Sequence, residues 1–233
     1  MSNSKPVFFV TGTDTDCGKT HVCAALIRHL QHRYPRVAGL KPIASGFELI
    51  NQRLQNSDVE ALTLASNVEL RPELINRYSY QPAIAPHIAA GQVGDTISAE
   101  LIELDVAIAL EQVDALVVEG VGGWLVPLSE SGSLSIEVLA QRLKMPVILV
   151  IGMKLGCLSH ALLAARAIMQ SGVPFAGWVA NHIDPKFDFL RENMATLENQ
   201  MPVPKLFELP YHYSSGNYAQ VDAPSEHWLA LFE

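Results

Sequence analysis

Residues with the types and spacing for chemistry gather first in "FVTGTDTDCGKTHVCAAL", residues 9–26. There a β-like run leads through Gly, Thr and Asp into Gly18-Lys19-Thr20 and a helix-like segment. A phosphate-binding loop requires that context. Backbone N–H groups and the helix N-terminus hold phosphate oxygens, Lys19 reaches the β- and γ-phosphates, and the Thr20 hydroxyl is a Mg²⁺ ligand. The usual loop has four residues between its glycines, whereas five separate Gly12 from Gly18, so that Thr13 takes the first glycine position. Two carboxylates, Asp14 and Asp16, also stand where phosphate is expected. The competing reading is a strand-to-helix turn that contains Gly-Lys-Thr by chance.

Further candidates lie at the ends of other apolar runs. Glu119 closes "DALVVEG", the place of an acid that holds Mg²⁺ directly or through water, and "GVGG" after it allows close backbone approach to a ligand. Lys41 follows the run in "GLKPIASG" and would meet a transferred phosphoryl group or an anionic acceptor, unless it is a solvated strand-end lysine. In "NSDVEAL", Ser57 or Asp58 can cap the helix that follows. Asn181 ends "GWVAN" and either reads the edge of a base or satisfies a turn. His87, in the proline-rich "NRYSYQPAIAPHIAAG", is the histidine placed near a ligand; His29 and His32 near a helix end suit its dipole better than a metal. Cys17, at a helix start, is a modifiable thiol but not a catalyst. No Ser-His-Asp spacing or paired glycosidase carboxylates emerge.

These residues need a scaffold. The 233 residues are 49 % hydrophobic and 17 % charged, enough for one core-bearing domain. The net charge of −8 argues against nucleic acid and anionic membranes as partners. Three cysteines without CxxC spacing suit a reducing compartment. No run approaches the ~20 apolar residues of a membrane span, and the first apolar run is too short for a secretion signal, so a soluble cytoplasmic protein is expected.

Near-continuous apolar runs at 7–12, 37–42, 115–120, 146–152, 175–181 and 205–210 predict buried parallel strands. Helix-length segments at 19–33, 98–112, 158–171 and 188–200 alternate with them, the second with Leu101, Leu104, Ala107, Ile108 and Val113 as its apolar face. The expected fold is therefore α/β, a doubly wound, mainly parallel sheet with helices on both faces, like P-loop NTPases. The interval between "KPIASG" and Ser98 breaks the alternation; it holds a further helix near 58–66 and reads as a ligand-binding insertion.

The ordered set "VTGTDTDCGKT", "GLKPIASG", "NSD", "APHIAA", "VEGVGGWLVPL", "PVILVIGMKLGCLSHALL" and "GWVAN" closely resembles the dethiobiotin synthetases, from about residue 7 to 182, with a fainter match at "ELPY". The long glycine spacing is a feature of that family. The resemblance implies ATP- and Mg²⁺-dependent closure of the ureido ring of dethiobiotin from 7,8-diaminopelargonic acid and CO₂. A carbamate forms first, then a carbamic–phosphoric anhydride.

The resemblance also implies roles. Thr20, Asp58 and Glu119 would ligate Mg²⁺. Asp16, Cys17, Gly18, Lys19, Thr20 and His21 would wrap the phosphates. Lys41 and Lys19 would serve catalysis, and Thr15, Ser45 and Pro86 would border carbamate and diamine. Glu119, Gly120, Val121 and Gly122, with Asn181, His182, Pro210, Tyr211 and His212, would border ATP, Asn181 reading adenine. In a homodimer, Gly156, Cys157, Leu158 and Ser159 of one subunit would hold the substrate tail of the other. Asp16 and Cys17 stand where Glu and Val are usual, Ser159 where a member has Asn, and Asn193 where a Tyr touches the tail. The main rival is a ParA/MinD-like ATPase switch on the same fold, but that group has a lysine near the loop's start, where this chain has Thr13-Asp14. A kinase or amide synthase with another acceptor is the second rival.

Overall fold

The computed structural model describes residues 5–50 and 53–211. The elements run β1 (Val7–Gly12), α1 (Lys19–Leu30), β2 (Val37–Leu40), β3 (Ile43–Ser45), β4 (Glu48–Ile50), β5 (Arg53–Gln55), α2 (Ser57–Ala65), α3 (Pro72–Ile75), β6 (Tyr78–Tyr80) and α4 (Pro86–Gln92). They continue with α5 (Ala99–Gln112), β7 (Ala115–Gly123), α6 (Ile136–Leu143), β8 (Val147–Met153), α7 (Cys157–Ser171), β9 (Phe175–His182), α8 (Leu190–Gln200) and β10 (Lys205–Leu209).

Six of these strands form the expected sheet, in the order β10-β9-β8-β1-β7-β2, with every pairing parallel. Alternation along β1 divides the core in two. Phe8 and Val10 face α1 and α2 with Val117, Ile148, Val150 and Val179. Phe9 faces the other way, with Val118, Leu149 and Trp178, onto α5, α6, α7 and α8. Helix α1 is apolar almost all round, Val22 through Ile27 being buried, because it is covered by the sheet beneath and α2 beside it. Gly39 lets this layer close: a Cβ there would lie 2.4 Å from Ile27 Cδ1 and 3.3 Å from Leu62 Cβ.

The strand order reverses at β1. The chain leaves it for β2 and β7 on one side, then for β8, β9 and β10 on the other. Ligands of open α/β sheets bind beyond the carboxyl end of such a switch strand, and the loop 13–18 lies there.

Three expectations change. Helix α1 ends at Leu30, not 33, and passes through tight turns to Tyr34. Strand β7 continues past Glu119 to Gly123, so Glu119 lies within the strand, level with Val10, where the register against β1 then shifts. Helix α5 buries Ala99, Ile102, Val106 and Ala109, with Asp105 on the same face, and leaves Leu101 and Leu104 exposed. Small residues on that face allow close approach, and the Arg77 guanidinium bonds both oxygens of buried Asp105. The insertion holds two short sheets, a parallel β3–β6 pair and an antiparallel β4–β5 pair.

Leu62 is fully buried between α1 and the sheet. Leu62→Ala should therefore cost about 3 kcal/mol, through lost burial and the cavity left behind, measured by urea denaturation.

Candidate active site

One cleft of about 760 Å³ opens beyond the carboxyl edge of the sheet. Thr15, Asp16, Gly18, Lys19, Thr20 and His21 form one wall, and Lys41, Asp58, Glu119, Val121 and Gly122 the floor. Ser45 and the insertion segment Ala83–Pro86 close the far side. Most of the candidate residues thus meet in one place.

The loop is shaped by close approaches of backbone. Gly18 adopts φ 83°, and Asp16 adopts φ 62°, a left-handed conformation that Asp tolerates better than most residues. The Cys17 side chain is buried beneath the loop, against Gly12 and Gly152. A Cβ on Gly12 would meet Cys17 Sγ at 2.3 Å. Cys17 is thus a packing residue under the cradle, and burial removes the modifiable thiol expected from the sequence.

Asn181 is buried too, and its Nδ2 donates to the Cys17 carbonyl over 2.9 Å. It braces the loop from below and does not line the cleft. Lys19 is buried, with Nζ donating to the Asp14 carbonyl over 3.0 Å.

The floor is an ionic cluster. Lys41 follows β2 directly, is 3 % exposed, and places its ammonium against Glu119 Oε1 and 3.1 Å from Asp58 Oδ2. It also donates to the Gly120 carbonyl over 3.3 Å. The solvated strand-end lysine is excluded by this burial. Thr20 Oγ1 donates to the same Glu119 Oε1 over 2.8 Å. Burial works against the charge on Lys41, but the two carboxylates outweigh it and hold the ammonium above the usual lysine range. Burial likewise opposes charge on Asp58, and Lys41 reverses that, holding its carboxyl below the usual range.

Two buried oxygens at the cleft have no hydrogen-bond partner, Glu119 Oε2 and Ser45 Oγ. Thr20, Asp58 and Glu119 offer only oxygen, the donor set Mg²⁺ prefers, and the unpartnered Glu119 oxygen fits a cation there. Among the described residues no cluster of three or more His, Cys, Asp or Glu side chains forms a metal site.

Helix α2 is capped by neither Ser57 nor Asp58. Asn56 Oδ1 accepts from the backbone N–H groups of Asp58 and Val59 over 3.1 and 3.2 Å. That frees the Asp58 side chain for Lys41. Asn56 Nδ2 also donates to the Ser45 carbonyl over 3.1 Å, tying the Ser45 side of the cleft to α2. Sequence reasoning missed this residue, although an Asn just before a helical run is itself a cap signal.

Other expected residues lie outside the cleft. His87 turns its Nδ1 to the Pro127 carbonyl at 3.1 Å and belongs to a neighbouring groove, leaving Pro86 at the cleft. Asn181 and His182 end β9, and Pro210 and Tyr211 follow β10, at the same carboxyl edge but two and three strands from β1. His182 lies 3.7 Å from Glu208, and burial pushes its imidazole below the usual range. His212 lies outside the described residues.

Gly156 caps α7, with Cys157 buried, Leu158 half-buried and Ser159 exposed. Their neighbour Leu155 is 90 % exposed. Asn193 Nδ2 bonds the Phe189 carbonyl at the start of its own helix.

A parallel sheet with a Gly-Lys-Thr loop at its switch strand, a buried acid on the adjacent strand and helices on both faces defines a P-loop NTPase-like protein. Solved structures agree at the level of fold. A ParA family ATPase from Chlorobium tepidum superposes with TM-score 0.53 at 17 % identity, over 91 % of this chain and 86 % of that one. The cell division protein ftsY of Thermotoga maritima gives 0.55 at 14 %, over 99 % and 68 %. A family described as an AAA domain matches residues 7–219.

Closer relatives resolve the family. The ATP-dependent dethiobiotin synthetase BioD of Cellvibrio japonicus is 44 % identical over 224 residues, 96 % of each chain. That of Pseudoalteromonas translucida is 43 % identical over 205 residues, 88 % of this chain and 89 % of its own. The chain belongs to the ATP-dependent dethiobiotin synthetase family. Both the family match and the first of these alignments cover more of the chain than the motifs, which faded after residue 211.

All three cysteines are buried, and burial pushes the Cys23 and Cys157 thiols up. The folded protein should therefore leave a chromogenic disulfide reagent unreacted and release three equivalents only on denaturation. Gly12→Ala should destabilise the loop by about 2 kcal/mol through overpacking, and Cys17→Ala in the same chain should return part of that, by thermal melts.

Proposed function

We propose that this chain is an ATP-dependent ligase of biotin biosynthesis that closes the ureido ring of dethiobiotin. Its substrates are 7,8-diaminopelargonic acid, CO₂ and ATP, and it works as one cytoplasmic domain. One amine takes up CO₂ as a carbamate, and a carbamate oxygen attacks the γ-phosphate of ATP, releasing ADP. The second amine then attacks the carbamic–phosphoric anhydride and expels phosphate.

The observation that carries this reading is the second buried lysine. A switch ATPase needs a cation at the phosphates. A carbamate attacking a triphosphate brings two anions together and needs a further one on the acceptor side. Lys41 supplies it, in the same cleft as Lys19 and with the unpartnered Ser45 hydroxyl nearby. Lys19 and the N–H groups of residues 16–21 hold the phosphates. Thr15 and Ser45 orient the carbamate and diamine, with Pro86 closing the wall.

Thr20, Asp58 and Glu119 would hold Mg²⁺, which would supply positive charge to offset that developing on the phosphates. Lys41 holds those two carboxylates, on the side of the cleft that Ser45 also lines. Glu119, Gly120, Val121 and Gly122 border the nucleotide. His182, Pro210 and Tyr211, at the edge nearer β10, take the base end, and His212 follows them in sequence, while Asn181 braces the loop. In a homodimer, the exposed helix start at Gly156–Ser159 offers backbone N–H groups to the carboxylate tail of the partner's substrate.

Mixing the protein with ATP, Mg²⁺, bicarbonate and the diamine should give dethiobiotin by mass spectrometry; ATP turnover indifferent to the diamine sinks the reading. Lys41→Gln should keep ATP binding and lose at least about a hundredfold in turnover. Because it strands Glu119, it should also cost about 3 kcal/mol of stability. Adding Glu119→Gln should recover stability but no product.

A further inference from the structure

Asp14 is the carboxylate that the nucleotide reading leaves without a part. Its Oδ2 is ion-paired with the ammonium of Lys154, the residue directly after β8 and two before Gly156. Its Oδ1 accepts from the Thr13 hydroxyl over 2.9 Å, and its carbonyl accepts from Lys19 Nζ over 3.0 Å. The Asp14 backbone is therefore at hydrogen-bond distance from the lysine that meets phosphate. The loop is already tied to β8 by its backbone, through Thr13 N–H to the Val150 carbonyl over 3.0 Å. A tether between loop and strand thus exists besides the ion pair.

Charge gives it another part. The loop carries two carboxylates, Asp14 and Asp16, against one ammonium, Lys19. Lys41 is committed to Glu119 and Asp58. A loop of net negative charge would repel a polyphosphate. With Lys154 counted, two ammoniums meet two carboxylates. Asp14 in turn holds the Lys154 ammonium above the usual lysine range, so it stays charged.

We propose that Lys154 is a positioning residue of the nucleotide site, neutralising Asp14 inside the phosphate loop so that the loop accepts a nucleoside triphosphate. The proposal rests on the reading of this loop as the ATP site. It differs from a structural staple in one testable way. A staple is lost whichever partner is removed and stays lost when both go. Neutralisation is needed only while Asp14 is charged.

The test is calorimetric titration of the full chain with Mg²⁺-ATP for four proteins: wild type, Lys154→Met, Asp14→Asn and the double variant, with thermal melts alongside. Lys154→Met should weaken ATP binding about fivefold, the upper range for a partly exposed charge pair, and the loss should shrink in high salt. Asp14→Asn should bind at least as tightly as wild type. The double variant should return to within about twofold of wild type, although it has no ion pair. A double variant as weak as Lys154→Met, or Lys154→Met binding like wild type, overturns the proposal and leaves the ATP site standing. A wild-type chain that binds no ATP overturns both.

Discussion

The Lys41 ammonium lets two carboxylates stand in the floor of the cleft beside the Gly-Lys-Thr loop. Without it, Glu119 would be an isolated buried charge within a central strand, which costs several kcal/mol. With it, Glu119, Asp58 and Thr20 converge on one point, and the cleft keeps an acid pair ready for a cation. The architecture follows from that cluster. β2 has to end at Leu40 so that the next residue enters the cleft, and β7 has to lie between β1 and β2 so that one carboxylate reaches both Thr20 and Lys41.

Around this floor the two sides of the cleft come from different sources. The wall made by the Gly-Lys-Thr loop is local, six residues of loop and helix start held over Gly12 and Gly152 by packing and braced by Asn181. The opposite wall belongs to the insertion after β2, whose short sheets and α4 bring Ser45 and Ala83–Pro86 across from it. The ParA family ATPase shares the fold alone; the family relationship concerns the whole chain.

Much of this was legible in the sequence because it is carried by strong local signals. Apolar β-branched runs marked all six strands of the main sheet, and Gly18-Lys19-Thr20 marked the cradle. What was not legible depended on tertiary choice. Helix α5 has two apolar stripes, and only the sheet decides that Ile102 and Val106 go in while Leu101 and Leu104 stay out. Asp58 could equally have been a cap until Asn56 took that role. Cys17 looks reactive at a helix start and is silent because Gly12 and Gly152 leave it room beneath the loop. Helix α6 and the short sheets escaped notice because their segments are brief and their partners distant in sequence.

Asn56 has a consequence beyond capping. Its carboxamide is a rigid planar unit with one end on α2 and the other on the Ser45 carbonyl. The spacing between Ser45 and Asp58 is thus set by the span of a single amide group. Lengthening that unit by one methylene, as Gln would, shifts one against the other; replacing it with Asp keeps the cap and cuts the link. The width of the cleft between these two walls is gauged by a side chain that does not line it.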